Sequence, residues 1–245
     1  MTKFFHISDL HYHKSQDDNI SANVLLALIN SRYPDHHLII TGDITDDGRP
    51  IQYLNALEAL TPFKNRSYLT PGNHDFGLVG NFYTYDCADN FDQILSIPLN
   101  QGGTFYGDNK IVVNYTEDTM LIALDSNLET TSPFDFACGE IDTKQLNELN
   151  HILDIPNNKT KILFFHHHPF IHNNPFMYLK DASELARIAY GRVDVILFGH
   201  KHEAATWENR WNIKYINASD NSPGKHFMTE ITVKDGVTSL AHISI

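Results

Sequence analysis

Short apolar runs separated by polar stretches recur along the chain, and they predict a succession of buried strands. Each run is short and nearly continuous, as expected for strands that are covered on both faces. The predicted strands cover residues 3–8, 37–41, 67–69, 111–115, 120–124, 161–165 and 193–198. Several of them end in a cluster of Asp, Asn or His, so the strand ends carry the candidate chemistry.

Between these runs, apolar residues at helical spacing predict helices. These helices begin at Asp18, Pro50, Asp142 and Asp181, and the first extends to about Arg32. Gln145 and Glu184 stand three residues after the last two caps, which is typical of a capping box. The alternation of strand and helix, followed by a strand-rich end, favours mixed sheets that are covered by helices.

Two further segments carry weaker or different patterns. Residues 76–110 are aromatic and glycine-rich, and we interpret them as loops and short helices packed over one edge of the site. Residues 205–245 have the pattern of antiparallel strands, with Asp235-Gly236 as a hairpin turn.

The 245 residues, of which 42% are hydrophobic, can bury a core that suits one domain or one domain with a small cap. A formal net charge of -12 argues against an extended nucleic-acid surface, which needs a basic face. The N-terminal residues lack the apolar stretch of a signal peptide, and no segment reaches membrane-spanning length. We therefore expect a cytoplasmic protein without a membrane partner, in which Cys87 and Cys138 are reduced packing residues.

Polar groups of metal-ligand type end several of the predicted strands. They are Asp9 with His11, Asp43, Asn73 with His74, His167, and His200 with His202. In an extended segment, alternate side chains leave on the same side, so His200 and His202 can aim at one point. The carboxyl ends of strands in open α/β sheets converge, so the donors are expected to meet. Carboxylate, amide and imidazole donors together suit Mn, Fe, Zn or Ni ions.

The same residues fall into motifs that resemble the signature of calcineurin-like metallophosphoesterases. The motifs are Asp9-x-His11, Gly42-Asp43, Gly72-Asn73-His74-Asp75, His167-x-Pro169 and Gly199-His200-x-His202. They occur in the order that the family shows. The resemblance implies a single calcineurin-like phosphoesterase domain over residues 1–245. It also implies a four-layer αββα sandwich of the α/β (α+β) class, with two mixed β-sheets between helical layers.

The resemblance further implies a dinuclear metal site at the strand ends. One ion would be held by Asp9, His11, Asp43 and His202, and the other by Asp43, Asn73, His167 and His200. Within the histidine run we choose His167, because the family ligand usually stands two residues before the proline. His166 is the competing ligand, since strand alternation would point one of these two side chains inward and the other outward.

The family's chemistry assigns roles to further residues by the same resemblance. A hydroxide that bridges the two ions would attack phosphorus in line with the departing oxygen. His74 would lie on the leaving-group side, where it donates a proton or stabilises charge. Asp46 matches the position of a carboxylate that orients this histidine in related phosphatases. The expected substrate contacts are Asn73, His74 and His168, with His13 and His172 as further candidates.

These expectations favour an enzyme that hydrolyses a small phosphodiester, with a cyclic nucleotide as the best guess. The motifs Asp-x-His and Gly-Asn-His-Asp resemble class III cyclic-nucleotide phosphodiesterases, whereas serine/threonine phosphatases usually show Gly-Asn-His-Glu. Two alternatives stay open: a phosphomonoesterase, and a non-catalytic metal-binding scaffold of the same fold. Scaffold relatives lose the catalytic histidine, and this chain retains His74. Relatives often dimerise, so a homodimer is a further expectation.

Overall fold

The computed structural model shows two β-sheets packed face to face. It describes residues 1–78, 82–105, 107, 110–130, 132, 135, 137–171 and 173–244. The strands in this part of the chain are β1 (Thr2–Ile7), β2 (His37–Thr41), β3 (Ser67–Thr70), β4 (Gly77–Leu78), β5 (Phe82–Tyr83), β6 (Ile111–Tyr115), β7 (Thr119–Leu124), β8 (Thr160–Phe164), β9 (Val195–Phe198), β10 (Ala205–Arg210), β11 (Ile213–Ala218), β12 (Phe227–Lys234) and β13 (Val237–Ser244). The α-helices are α1 (Ile20–Arg32), α2 (Pro50–Leu60), α3 (Asn73–Phe76), α4 (Tyr85–Asn90), α5 (Ile97–Leu99), α6 (Thr143–Asp154) and α7 (Ala182–Ala189).

Both sheets mix parallel and antiparallel strands, which confirms the predicted fold class. The first sheet has the order β13-β12-β1-β2-β3, in which β1, β2 and β3 are parallel. The second has the order β10-β11-β9-β8-β7-β6, in which β11, β9, β8 and β7 are parallel and the two edge strands are antiparallel. The carboxyl ends of the parallel strands therefore line one edge of each sheet.

The central strands of the second sheet are buried on both faces, which explains their nearly continuous apolar sequence. Leu121, Phe164 and Leu197 share one core cluster with β1, β2, α1 and α2. Leu163 and Phe198 belong to another cluster, together with α6 and α7. Alternate residues of one strand thus face the first sheet and the outer helices, as a layered sandwich requires.

Two of the predicted helix caps do not form. Helix α6 begins as predicted, because the Asp142 carboxylate accepts a hydrogen bond from the Gln145 N–H at 2.9 Å. Asp18 instead lies in a short 3-10 turn ahead of α1. The Asp181 carboxylate accepts the Ile141 N–H at 3.0 Å rather than capping α7. At Asp181, tertiary hydrogen bonds thus compete with local capping for the carboxylate.

The C-terminal strands divide between the two sheets, which corrects the prediction of a purely antiparallel region. Strands β10 and β11 form an antiparallel pair, but β11 also lies parallel to β9. The chain then crosses to the first sheet, where β12 pairs with β1 and with β13. The predicted turn between β12 and β13 is confirmed, because Asp235 and Gly236 both have positive φ, 50° and 76°.

The described part of residues 76–110 contains short helices, as expected, and also a pair of strands that the sequence does not predict. The helices α4 and α5 are joined by a π-helical stretch (Phe91–Ser96), and β4 pairs with β5. Cys87 and Cys138 are buried and form no disulfide. Among the helices in the described ranges, none combines the length and the apolar character that a membrane crossing needs.

Candidate metal centre

Side chains with metal-binding chemistry converge where the carboxyl ends of parallel strands from both sheets meet. They follow β1 (Asp9, His11), β2 (Asp43), β3 (Asn73), β8 (His166, His167) and β9 (His200, His202). Left-handed backbones, with φ between 47° and 75°, occur at Asp9, His11, Asp43, His200 and His202. Residues other than glycine rarely adopt this conformation, so backbone strain is concentrated at the strand ends.

The four ligands predicted for the first ion lie together. The Nε2 atoms of His11 and His202 are 3.1 Å apart, and His202 Nε2 is 3.4 Å from Asp9 Oδ1. Asp43 completes the group, with its Oδ2 3.9 Å from His11 Nε2. One donor atom from each residue falls within 4.8 Å of all the others. The geometry therefore allows these four side chains to bind one ion.

A second group shares Asp43 with the first. Asp43 Oδ2 lies 3.2 Å from His166 Nε2, which is in turn 3.2 Å from His200 Nδ1. The side-chain oxygen of Asn73 is also 3.2 Å from His166 Nε2. Asp43, His166 and His200 are all buried. The arrangement offers a second position for an ion, beside the first and joined to it by one carboxylate.

His166 contributes to this second group, and His167 does not. His167 places Nδ1 2.8 Å from the Ser126 hydroxyl, and its buried Nε2 has no hydrogen-bond partner among the described residues. Its ring lies against the backbone of Gly139, where a Cβ would come within 2.3 Å of His167 Cγ. The structure thus places the expected ligand outside the cluster and its competitor inside.

Strand alternation explains which histidine faces the ligands. Phe164 at the end of β8 belongs to the core between the sheets, and Phe165 belongs to the core under α6 and α7. The same alternation turns His166 toward the first sheet and His167 away from it. Because β8 is apolar on both faces, its sequence does not distinguish the two faces.

Two buried imidazoles turn one ring nitrogen each toward the other. His166 donates its Nδ1–H to the Thr41 carbonyl at 2.7 Å, and His200 donates its Nε2–H to the Met177 carbonyl at 3.2 Å. The other two nitrogens are 3.2 Å apart, and their lone pairs repel unless a cation or a proton lies between them. Backbone acceptors of this kind commonly support metal-binding histidines. The donor set therefore fits divalent transition metals.

Protons occupy the centre when metal is absent. Burial lowers the pKa of His166, but the carboxylates of Asp43 and Asp9 and the Thr41 carbonyl together outweigh burial, and the net pKa rises to about 9. Burial also opposes protonation of His11, yet Asp46 and Asp43 raise its pKa to about 9. The neighbouring histidines hold the pKa of Asp43 well below its ordinary value, although burial acts in the opposite direction. A metal ion must displace these protons, because its ligands bind in the deprotonated form.

Gly72 and Gly199 allow the backbone to approach the ligands closely. A Cβ at Gly72 would lie 2.2 Å from Asp43 Oδ1, and a Cβ at Gly199 would lie 2.5 Å from Asp9 Oδ2. Real side chains do not come this close, so any larger residue would have to displace a carboxylate of the centre. The absence of a side chain at these two positions therefore lets the backbone approach the carboxylates of the site.

His74 lies beside the two groups, in α3. Its Nδ1–H donates to the Asp46 backbone carbonyl at 2.7 Å, whereas the Asp46 carboxylate is 3.9 Å away. That carboxylate faces His11 Nδ1 at 3.7 Å and His13 Nδ1 at 3.3 Å. Asp46 thus contacts His74 mainly through its backbone carbonyl, and its carboxylate lies farther from that imidazole.

Two residues without a predicted role support the centre. The buried Asp75 carboxylate accepts the N–H groups of Thr45 and Gly72 at 2.8 and 2.9 Å, and so it joins the loops that follow β2 and β3. Burial raises the pKa of Asp75 to about 6. Thr41 acts through its carbonyl, which leaves no trace in the sequence. Asp75 could have been found, because it stands in the motif that contains Asn73 and His74.

His168 does not reach the centre. Its ring packs against Phe198 and Trp207, with centroid distances of 4.7 and 5.7 Å. Its Nδ1 accepts the Phe170 N–H at 3.1 Å, and burial lowers its pKa to about 4. The aromatic cluster on the outer face of the second sheet thus encloses the ring, which leaves no surface for the expected substrate contact. His172 lies outside the described residues.

Known proteins with similar sequences point to one family. The family profile described as Calcineurin-like phosphoesterase matches residues 2–204. A 3',5'-cyclic-nucleotide phosphodiesterase of Nostoc sp. is 28% identical over 188 residues, which are 74% of this chain and 60% of that protein. The 3',5'-cyclic adenosine monophosphate phosphodiesterase CpdA of Vibrio vulnificus is 23% identical over 82% of this chain and 70% of its own length. The chain thus spans 60% and 70% of the lengths of these two relatives.

Solved structures share the fold at lower identity. A dimetal phosphatase from Danio rerio aligns with a TM-score of 0.71 at 15% identity, covering 99% of this chain and 98% of that one. GAP50, the anchor in the inner membrane complex of Plasmodium, aligns with a TM-score of 0.65 at 13% identity, covering 99% and 84%. At such identities, these likenesses establish the fold alone. Because the family profile spans most of the sequence, the chain belongs to the calcineurin-like phosphoesterase family.

Proposed function

We propose that the protein is a metal-dependent phosphoesterase that hydrolyses a small phosphodiester. The observation that carries this proposal is the pair of donor groups that share Asp43. A shared carboxylate between two imidazole-rich groups is suited to two ions held side by side, which is a common solution for phosphate chemistry. Membership of a phosphoesterase family supports the same reading.

Two ion sites follow from the two donor groups. The first site consists of Asp9, His11, Asp43 and His202, and the second site consists of Asp43, Asn73, His166 and His200. Nitrogen and oxygen donors in this mixture suit manganese, iron, zinc or nickel. When bound, two such ions neutralise phosphate charge and lower the pKa of a water molecule toward neutrality. The chain itself fixes the imidazoles, through the carbonyls of Thr41 and Met177.

His74 is proposed to assist the departure of the leaving group. The Asp46 carbonyl occupies its Nδ1–H, so Nε2 is the atom that can exchange a proton with the departing oxygen. The His74 side chain is 29% exposed, which gives a substrate access to it. Asn73 and His74 remain the proposed substrate contacts, because both lie at the centre and are partly exposed.

A cyclic nucleotide or a similar small diester is the proposed substrate. The relatives from Nostoc sp. and Vibrio vulnificus are named for the hydrolysis of cyclic nucleotides. The net charge of -12 disfavours an extended nucleic acid, since such a partner needs a basic surface. The cytoplasmic location and the homodimer expected from the sequence stay predictions.

The test is a substrate panel on protein that has been stripped of metal and reloaded with Mn²⁺. We expect turnover of bis-p-nitrophenyl phosphate and of a 3',5'-cyclic nucleotide, and little turnover after chelation. His74→Ala should lower the rate by about 10²–10⁴-fold while metal stays bound. His151→Ala, which removes an exposed histidine of α6, is the matched control and should leave the rate unchanged.

Two results would replace the proposal. A strong preference for p-nitrophenyl phosphate over the diester would identify a phosphomonoesterase. Absence of turnover with every divalent metal, in a folded protein that binds two ions, would identify a scaffold. The fold does not decide this point, because a phosphatase and an anchor protein share it.

A further inference from the structure

The connection between β11 and β12 (residues 219–226) packs against the end of the strand that carries Asp9. Asn221 donates its N–H to the Ser8 carbonyl at 2.8 Å, and Ser8 returns its N–H to Asn221 Oδ1 at 3.1 Å. Ser8 directly precedes the ligand Asp9. This connection lies beyond residues 2–204, the part that matches the family profile. It therefore contributes to the centre from outside the family motifs.

His202 is the least enclosed ligand of the first site. Its side chain is 44% exposed, whereas Asp9 is fully buried. Its backbone is left-handed, with a φ of 53°, and it stands in a bend that belongs to no strand or helix. An exposed ligand on irregular backbone depends on neighbouring groups to keep its imidazole in place.

The ammonium group of Lys225 reaches the backbone at this ligand. Lys225 Nζ donates to the His202 carbonyl at 3.0 Å, and it also forms an ion pair with the Asp220 carboxylate. Asp220 is 1% exposed, and its other oxygen accepts the Ser222 N–H at 3.0 Å. The Asp220 carboxylate, which is buried and has a polar partner at each oxygen, thus holds the Lys225 ammonium group in a fixed position. The pairing also neutralises the positive charge, which limits its repulsion toward cations in the centre.

We propose that Lys225 is a positioning residue for His202, and thereby for the ion of the first site. The inference rests on the proposed function, because it requires that ion. By holding the carbonyl of the bend, Lys225 sets the direction in which the His202 side chain leaves the backbone. The imidazoles of the second site are held differently, by the carbonyls of Thr41 and Met177. The second site should therefore not depend on Lys225.

The test is Mn²⁺ binding by the full chain, with free Mn²⁺ measured by electron paramagnetic resonance. The wild-type chain should bind two ions. Lys225→Met should weaken one of them by about 10–100-fold and leave the other unchanged. Lys225→Arg retains a donor of similar reach and should restore binding. In a His166→Ala background, where only the first site remains, Lys225→Met should weaken the single remaining ion.

A second variant separates the loss of the contact from the loss of charge balance. Lys225→Met leaves the Asp220 carboxylate buried without its partner, which can destabilise the fold. Combining it with Asp220→Asn removes that charge, and the double variant should show the same weakening of one ion. Lys201→Met is the matched control, because Lys201 lies in the same bend but pairs with exposed Glu203 at 2.7 Å. It should bind both ions like the wild type.

The outcomes distinguish the inference from the proposed function. Two unchanged ions in Lys225→Met and in the double variant would overturn the inference and leave the proposed function intact. Equal weakening of both ions in the double variant would also overturn it, because the second site should be independent. A folded wild-type chain that binds fewer than two ions would overturn both.

Discussion

At the scale of single residues, the hydrogen bond at one imidazole nitrogen determines what the other nitrogen can do. The Thr41 carbonyl takes the Nδ1–H of His166, so Nε2 is the nitrogen that faces the Asp43 carboxylate, where it can carry a proton or bind an ion. The Asp46 carbonyl takes the Nδ1–H of His74, which leaves Nε2 for a substrate. Main-chain acceptors therefore leave Nε2 as the available atom in both histidines, as the proposed ligand role of His166 and the proposed proton-transfer role of His74 require.

The first prediction compares the adjacent histidines His166 and His167. His166→Ala should remove one ion per chain and lower phosphodiester turnover by about 100-fold or more, because it deletes a ligand of the second site. His167→Ala should retain both ions, because its ring lies against Gly139 rather than in the cluster. Elemental analysis of both variants after reloading provides the measurement. Loss of an ion in His167→Ala alone would reverse the assignment.

The second prediction concerns the two contacts of Asp46. Asp46→Asn keeps the backbone carbonyl that holds His74, so kcat at saturating metal should change by less than about tenfold. The same change removes the carboxylate that faces His11, so the Mn²⁺ concentration needed for half-maximal turnover should rise by about tenfold. His74→Ala should show the opposite pattern, with a low kcat and a normal metal requirement. Turnover measured against Mn²⁺ concentration separates the two; a kcat for Asp46→Asn as low as that of His74→Ala would show that the carboxylate orients His74.

At the scale of elements, strand ends bring the donors together and strand alternation selects among them. Apart from β4 and β5, the strands could be predicted from apolar periodicity, as could the helices α1, α2, α6 and α7, and motif spacing predicts the cluster of donors at the strand ends. The choice between His166 and His167 could not be predicted, because β8 is apolar on both faces. Which of its alternate residues face the first sheet depends on how the two sheets pack. The burial of His168 cannot be predicted from its neighbours in the sequence, because the aromatic cluster that buries it includes the distant Trp207.

The third prediction concerns the close approach of two strand ends. A Cβ at Gly199 would lie 1.9 Å from Ser8 Oγ and 2.5 Å from Asp9 Oδ2. Gly199→Ala should therefore displace Asp9 and weaken the first site by about 10–100-fold. Mn²⁺ titration checks the effect, and thermal unfolding in chelator shows how much of it reflects general destabilisation. Normal Mn²⁺ affinity at both sites would contradict this, because it would show that the strand ends can accommodate the added Cβ without displacing Asp9.

At the scale of the whole molecule, the centre exists only where the two sheets are packed together. The first sheet supplies Asp9, His11, Asp43 and Asn73, and the second supplies His166, His200 and His202. Ions bound across this junction hold the sheets together, so binding free energy adds to folding free energy. Removing metal should lower the unfolding temperature of the entire chain, rather than loosening one loop.

The fourth prediction is the pH dependence of this coupling. Without metal, the pKa values of His11 and His166 are raised to about 9, so both imidazoles are in the charged form, with a proton on each nitrogen, at neutral pH. Apparent metal affinity should therefore increase with pH up to about 9, by about tenfold per pH unit for each displaced proton. Mn²⁺ titrations at several pH values measure this slope. An affinity that does not vary with pH would contradict the protonated state of the metal-free centre.

The stability of the metal-free chain should change in the opposite sense. Both folded-state pKa values lie above the ordinary value of about 6.5, so the stabilisation is fully present below that pH. It is lost as the pH rises to about 9, where the folded histidines release their protons. Thermal unfolding in chelator should therefore shift to lower temperature across this interval, and the metal-loaded chain should show a smaller shift. A rise in unfolding temperature of the metal-free chain across the interval would contradict the assignment.

The most direct test is anomalous X-ray diffraction from crystals of the Mn²⁺-loaded protein. We expect two anomalous peaks at the junction of the sheets, both of them next to Asp43. His202 should bind one ion, and His166 and His200 should bind the other. Absence of peaks at this junction, a single peak, or coordination by His167 in place of His166 would contradict it.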